Sequence, residues 1–264
     1  MLLILAHAND SAARALAGRW GDEALLLTVD ELHRARWRLE LDRAGRAVAE
    51  LATADGTPVP VTGVVNRLGV LTGADLSRVR AEDRPYAAAE LTAFLLAWLD
   101  ACPAPVLNPP NARCLNGPPW YPEEWADAAV SVGLRVPAVH RTVGLAAAPA
   151  AAVSPWAEAR RAHVVGDVCI GEVHPALGRR LRKLARLAGT PLLTATLSGS
   201  GPDAEVRDIS AWPDLADPAV ADAVLVALAE AAGVEVAEAP APGEPSGPDT
   251  IQPGVSSDLA GVAG

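Results

Sequence analysis

The chain has 264 residues, half of them hydrophobic, and its formal net charge of −10 at pH 7 excludes a general nucleic-acid binder, because polyanions attract basic surfaces. The three cysteines, Cys102, Cys114 and Cys169, lie far apart without the paired spacing of a disulfide framework or a zinc site. No signal peptide is found and no apolar run approaches the roughly 20 residues of a membrane span, so we expect a cytoplasmic protein.

The first part of the sequence alternates strand and helix signals. Residues 2–5 predict a buried strand, "SAARALAGRWG" a helix and "ALLLTVDEL" a second buried strand. "WRLELDRAGRAVAEL" alternates apolar and polar residues on both sides of a Gly-containing turn and predicts a hairpin. "VTGVVNRLG" is a strand, "RPYAAAELTAFLLAWLDA" a helix, "APVLNPP" a short strand and "PEEWADAAVSVG" a helix. This alternation predicts an α/β domain over residues 1–145.

An Ala/Pro-rich linker over residues 146–160 precedes a second segment over residues 161–236. In this segment "AHVVGDVCIG" is predicted as one strand that places His163, Asp167 and Cys169 on one face. Three residues on one strand face do not easily converge on a tetrahedral ion, so a polar face is favoured over a zinc site. "PALGRRLRKLARLAG" and "DPAVADAVLVALAEAAG" predict helices, with two strands between them. Pro, Gly and Ser dominate residues 237–264, where we expect a disordered tail.

The order of several motifs is informative. "VVNRLG", "RPYAAAELTAFLLAWLDACPAPVLNPPN" and "AVSVGLRVPAV" follow one another, and this order resembles the N-terminal part of ATP-grasp ligases of the ribosomal-modification and peptide-maturase type. "VVGD", followed by a helix, two strands and a "PDL" turn, is similar to the C-terminal part of that family. The resemblance covers most of residues 60–235. It implies a pre-ATP-grasp-like α/β domain followed by a reduced α+β remnant of the ATP-grasp C-terminal part.

The resemblance also implies what this chain lacks. Ligases of that family join a carboxylate to an amine with ATP, and a central subdomain supplies a phosphate-binding lysine, where this chain has the linker. Lys183 is the only lysine, and the helix pattern places it on an outer face. Thr194 and Thr196 stand where the family has an Asp, and Asp208 and Ser210 stand at its Glu and Asn positions. We expect a vestigial metal site at Asp208 and Ser210, and no ATP or Mg²⁺ cofactor unless a partner completes the site.

These departures predict a degenerate ATP-grasp-like protein without ligase activity of its own, which acts by binding. The expected partner is a protein or peptide: a full-length ATP-grasp ligase, a precursor peptide or a second copy of the chain. Trp120, Tyr121, Trp125 and Trp156 lie beside the predicted gap and are candidate contact residues, because uncovered apolar surface is usually met by another chain.

Two alternatives remain open. One is a carboxylate-amine ligase whose missing parts a partner chain supplies. The other is an enzyme with a different chemistry on a small acidic substrate. Its candidate binding residues are Arg67, Arg84, Glu90, Asn108 and Asn116. Arg67 and Arg84 would bind a carboxylate through paired hydrogen bonds, although no nucleophile and base can be picked from their spacing.

Overall fold

A computed structural model of the chain describes residues 1–139 and 159–233. Most of the predicted linker lies outside these ranges, and so do Trp156 and the whole predicted tail. The strands are β1 (Leu2–Ala6), β2 (Ala24–Thr28), β3 (Ala35–Leu41), β4 (Ala47–Thr53), β5 (Gly63–Arg67), β6 (Val106–Leu107), β7 (Arg160–Val165), β8 (Val168–Ile170), β9 (Leu192–Leu197) and β10 (Val206–Ser210). The helices are α1 (Ser11–Trp20), α2 (Arg84–Ala101), α3 (Pro122–Ser131), α4 (Pro175–Leu187) and α5 (Pro218–Ala231). None of the described helices is long and apolar enough to cross a membrane.

The first sheet is parallel and has the strand order β2-β1-β5-β6. Alternate residues of β1 point to opposite faces. Leu3 and Leu5 pack with α2 and the β3–β4 hairpin, whereas Ile4 and Ala6 pack with α1 and α5. Elements therefore cover both faces, as the near-continuous apolar sequence of β1 requires. The α/β class predicted from the sequence is confirmed.

The β3–β4 hairpin is also confirmed by an antiparallel ladder that runs from Ala35 opposite Thr53 to Leu41 opposite Ala47. Trp37 of β3 packs edge to face on Trp98 of α2, with ring centroids 4.9 Å apart. Such an arrangement sets the positive edge of one ring against the negative face of the other. The hairpin is thereby fixed against α2.

The second sheet is antiparallel and has the order β10-β9-β7-β8. Helix α4 covers one of its faces with Leu177, Leu181 and Leu184, which are fully buried as the helix pattern predicted. The prediction of one strand over "AHVVGDVCIG" is wrong. β7 and β8 form a hairpin around Gly166, whose φ of 56° suits the turn, and Asp167 lies in that turn.

Helix α5 joins the two sheets. It begins at the N-cap Asp217, whose carboxylate accepts a hydrogen bond from the backbone of Ala219 at 2.9 Å. Its buried residues Val220 and Val224 share one core with Val65 of the first sheet and Leu192 of the second. The apolar face of α5 thus fixes the second sheet against the first.

Candidate functional site

A polar cleft of about 480 Å³ lies between the two sheets. One wall is the loop after β1 together with the end of β5, and the other is the face of the second sheet that α4 leaves uncovered. The residues that line it are Asn9, Asp10, Ser11, Ala12, Arg67, Arg161, His163, Thr194, Thr196, Asp208, Ser210, Trp212, Pro213 and Asp214. Of the residues predicted for a site, this cleft brings together Arg67, Asp208 and Ser210.

The topology of the first sheet places this cleft. After β1 the chain first forms β2 on one side and then β5 on the other, so the loops that leave β1 and β5 diverge. Ligands of open α/β sheets bind at such a switch point, outside the carboxyl ends of the strands. His7 holds the two loops together, because its Nε2 accepts a hydrogen bond from the backbone of Gly69 at 3.1 Å.

Arg67 is committed to a buried ion pair in the floor of the cleft. Its Nε lies 2.6 Å and its Nη2 3.2 Å from the carboxylate oxygens of Asp10, and Nη1 donates to the carbonyl of Pro213. Partial burial by itself would raise the pKa of Asp10. Hydrogen bonds from Arg67 and from the backbone of Ala13 outweigh it and hold that pKa below its usual value. The guanidinium of Arg67 is therefore satisfied by the protein.

The second sheet contributes a grid of six polar side chains. In antiparallel strands, residues directly opposite one another share a face. The register of β7, β9 and β10 consequently aligns Arg161, Thr196 and Asp208 in one row, and His163, Thr194 and Ser210 in the next. The sequence placed Thr194, Thr196, Asp208 and Ser210 at the metal positions of the family, and the ladder brings these four side chains onto one face.

His163 is the buried member of this grid. Its Nδ1 lies 2.7 Å from the hydroxyl of Thr194. Burial lowers the pKa of His163, since the charged imidazole loses hydration, and the nearby carboxylates of Asp217 and Asp214 offset only part of this effect. The neutral imidazole is thus the form that the folded cleft accommodates at pH 7.

We expect His163 to make stability depend on pH. Its pKa is lower in the folded state, so the unfolded chain binds the proton more readily and stability falls as pH drops below the ordinary value of about 6.5. The slope cannot exceed about 1.4 kcal/mol per pH unit for one proton. Urea unfolding between pH 7.5 and 5.5 should show a steeper decline for the wild type than for His163→Gln. Equal slopes for the two proteins would contradict this assignment, and His33→Gln, an exposed histidine, serves as the control.

Three buried asparagines connect the segments that form the cleft. Asn108 binds β9 at both backbone groups of Leu192: its Oδ1 accepts from the amide at 2.7 Å and its Nδ2 donates to the carbonyl at 3.0 Å. The same Nδ2 is within hydrogen-bond distance of the carbonyl of Ala211 and of Oδ1 of Asn116. Asn116 donates to the carbonyl of Asn66 at 2.6 Å. The amides of Asn108 and Asn116 therefore bond to the protein itself, below the cleft.

The other predicted binding residues lie away from the cleft. Arg84 is at the start of α2, where its guanidinium donates to the carbonyl oxygens of Val79 and Ser77. Glu90 is exposed on the same helix. Arg84 therefore does not converge with Arg67 on a shared carboxylate position in this structure.

An apolar groove of about 440 Å³ adjoins the polar cleft and shares Asp208, Ser210 and Trp212 with it. Trp120 and Trp125 meet edge to face at its wall, with ring centroids 4.8 Å apart. The other lining residues include Tyr121, Val70, Pro118, Pro119, Val136, Pro137 and Val139. Three of the four predicted contact aromatics, Trp120, Tyr121 and Trp125, thus line one groove.

Four residues of this region were not singled out as site residues. Asp10 pairs with Arg67 in the floor of the cleft, Arg161 shares one row of the grid with Asp208, and Trp212 lines both the cleft and the groove. For His163 the sequence favours a polar strand face over a zinc site, and the described residues contain no cluster of three His, Cys, Asp or Glu that could hold a metal ion. The side-chain period along β7 does place Arg161 and His163 on one face, which is a signal that a correct strand assignment would have used.

No protein-family model and no curated protein matches this chain. Among solved structures, it is similar to a RiPP-associated ATP-grasp ligase of Chryseobacterium gregarium in complex with ADP and a leader and core peptide, at 12% identity and a TM-score of 0.59, over 87% of this chain and 96% of that one. It is also similar to the macrocyclase MdnC of Microcystis aeruginosa MRC bound with the precursor peptide MdnA, at 11% identity and a TM-score of 0.58, over 87% and 99% of the two chains.

The ATP-grasp ligase PsnB, complexed with the precursor peptide PsnA2 and AMPPNP, gives a TM-score of 0.57 at 12% identity, over 86% of this chain and 98% of PsnB. These neighbours agree with the motif order found in the sequence. The protein therefore has the fold of the peptide-modifying ATP-grasp ligases.

Proposed function

We propose that this chain is an ATP-grasp-like binding protein that recognises a protein or peptide partner and has no ligase activity of its own. The observation that carries the proposal is the composition of the polar cleft, in which hydroxyl groups stand beside a single grid carboxylate. The similar ligases were seen with precursor peptides. A precursor peptide, or the enzyme that modifies it, is accordingly the partner that we favour.

The cleft offers few free oxygen ligands to a magnesium ion. Mg²⁺ prefers near-octahedral oxygen ligands and is usually held by one or two carboxylates together with substrate phosphates. On the grid, Asp208 is the only carboxylate, and its cross-strand neighbour Thr196 offers a neutral hydroxyl. Asp214 also lines the cleft, and its Oδ1 accepts a hydrogen bond from the amide of Ala216. Thr194 already bonds to His163, and Asp10 to Arg67. These residues leave Asp208 and Ser210 as the remnant that the family resemblance implied.

The cleft also fits a nucleoside triphosphate poorly. Phosphoryl transfer depends on several cations that neutralise charge on the phosphate oxygens. Arg67 is neutralised by Asp10, and Lys183 is exposed on α4 and is not among the residues that line the cleft. Among the described residues that line the cleft, Arg161 is the remaining arginine or lysine. We derive no catalytic step through ATP from these residues.

Titration calorimetry with Mg²⁺ and ATP tests the proposal. We expect no saturable heat from the isolated chain up to millimolar ATP, and no ADP release when a leader and core peptide is added. Binding at micromolar ATP that Arg161→Ala abolishes would contradict the proposal, because it would place a working nucleotide site in the cleft. ADP release only in a mixture with an active ATP-grasp ligase, beyond what that ligase gives alone, would favour a ligase completed by a partner chain.

A further inference from the structure

The apolar groove follows the free edge of β10 rather than one of its faces. Every residue from Val206 to Trp212 lines it. Because successive side chains of a strand point to opposite faces, a pocket on one face would contact only alternate residues. β10 is the terminal strand of its sheet, and among the described residues its outer edge is joined only by Arg135, which forms a parallel bridge to Glu205.

The hydrogen bonds of β9 show which backbone groups of β10 point into the groove. The carbonyl of Pro191 accepts from Gly166 on the β7 side, and Ser198 donates to Glu205 on the β10 side. By strict alternation, Thr194 and Thr196 direct their backbone groups to β10, where they face Ser210 and Asp208. The N–H and C=O of the intervening residue Ile209 consequently point outward.

Within the described part of the chain, the opposite wall of the groove pairs with this edge at one position. Residues 134–139 begin to run beside β10, and the amide of Val206 donates to the carbonyl of Arg135 at 2.7 Å. Pro137 follows two residues later, and proline has no N–H to continue a ladder. Within the described ranges no further bridge joins this segment to β10, and Val136, Pro137 and Val139 line the groove. The groove lies between β10 and this segment.

The walls of this groove are mostly apolar and partly exposed. Val70 is 74% exposed, Trp212 43% and Val139 41%, and all three line the groove with Trp120 and Trp125. Contiguous exposed apolar surface beside an unpaired strand edge is a recurrent peptide-docking arrangement, in which the backbone supplies hydrogen bonds and pockets select alternate side chains.

Resting on the binding function proposed above, we propose that an extended segment of a peptide partner adds as a strand to the outer edge of β10. Its backbone hydrogen-bonds to the N–H and C=O of Ile209, and a bulky apolar side chain packs against Trp120 and Trp125. A second copy of this chain fits less well, because each copy carries a formal charge of −10 and like charges repel. The expected partner segment is therefore extended, apolar at alternate positions and not acidic.

Blocked, fluorescently labelled pentapeptides of the form Thr-X-Thr-X-Thr, with X as Val, Leu, Phe or Trp, provide the probe in an anisotropy titration. The matched variants are Ile209→Pro, which removes the outward N–H, and Ile209→Ala, which keeps it. Both lose the packing of the Ile209 side chain on the core between α4 and the second sheet. Their comparison therefore tests the loss of the N–H together with the backbone restriction of proline. We expect the best peptide to bind Ile209→Ala within about threefold of the wild type, and Ile209→Pro at least tenfold more weakly.

An additional measurement covers the case in which Ile209→Pro does not fold. Methylation of alternate backbone nitrogens of the peptide removes its own donors and should weaken binding to the wild type at least tenfold. If every peptide fails to bind, or if binding ignores both N-methylation and Ile209→Pro, the proposed site is overturned. Peptide binding that is unchanged in Ile209→Pro would move the peptide site elsewhere on the protein and would still support the binding function proposed above. A concentration-dependent dimer lost in Ile209→Pro would assign the edge to a second copy and also overturn the proposal.

Discussion

Asn108→Ala is expected to lower the free energy of unfolding by at least about 3 kcal/mol. Asn108 is fully buried and its single side chain serves both backbone groups of Leu192 and the carbonyl of Ala211. Removal leaves these backbone groups buried without their partner, and each such group costs about 1–3 kcal/mol. Because the bonds cross from the first sheet to the second, the loss falls on the junction that positions the cleft.

Urea unfolding followed by circular dichroism and tryptophan fluorescence checks this expectation. Asn9→Ala makes the same chemical change at an exposed cleft residue and should alter stability by no more than about 0.5 kcal/mol. Asn108→Asp keeps an acceptor for the amide of Leu192 but loses both donors, and it should remain strongly destabilised. If Asn108→Ala costs less than 1 kcal/mol, the buried network does not hold the sheets together.

Local sequence patterns predicted the elements whose signals are contained within a few residues. The alternation around Gly45 specified the β3–β4 hairpin, and the spacing of Leu177, Leu181 and Leu184 specified the buried face of α4. "AHVVGDVCIG" failed because its apolar residues continue through the turn. Only Gly166, followed by Asp167, marks the reversal, and a Gly-Asp pair inside an apolar run is itself a hairpin signal.

The sequence indicated only some of the residues that line the candidate site. The family resemblance indicated Asp208 and Ser210, and the alternative of a small acidic substrate indicated Arg67; all three side chains line the cleft. Asn108 and Asn116 were assigned to a ligand because a polar residue at a strand end has no partner that the sequence can reveal. Their partners come from segments up to 103 residues away, as with Ala211. The pairing of Arg67 with Asp10 is equally non-local, and it changes the chemistry expected of Arg67.

Arg67→Leu is expected to destabilise the protein by about 3–5 kcal/mol, the cost of removing one partner of a buried ion pair. The side chains of Arg67 and Asp10 are only 7% and 13% exposed, so the carboxylate left behind has little access to water. Arg19→Leu is the matched control, since Arg19 pairs with Asp222 at the surface, where the two side chains are 43% and 61% exposed. That change should cost less than about 1 kcal/mol.

The pH dependence separates the charge of Arg67 from its bulk. With Arg67 present, the pKa of Asp10 lies below its ordinary value of 3.8, so its stabilising contribution is complete above that value and is lost as pH falls through the folded-state pKa. In Arg67→Leu the hydrogen bonds and the charge of Arg67 are gone, so we expect the pKa of Asp10 to rise and its carboxylate to contribute less pH-dependent stability. The stability difference between the two proteins should therefore narrow below pH 4.

Asp10→Asn keeps an N-cap for α1 but lacks the charge, and combining it with Arg67→Leu should cost less than the sum of the two single changes. A difference that stays constant with pH, together with additive costs, would show that Arg67 contributes by packing alone.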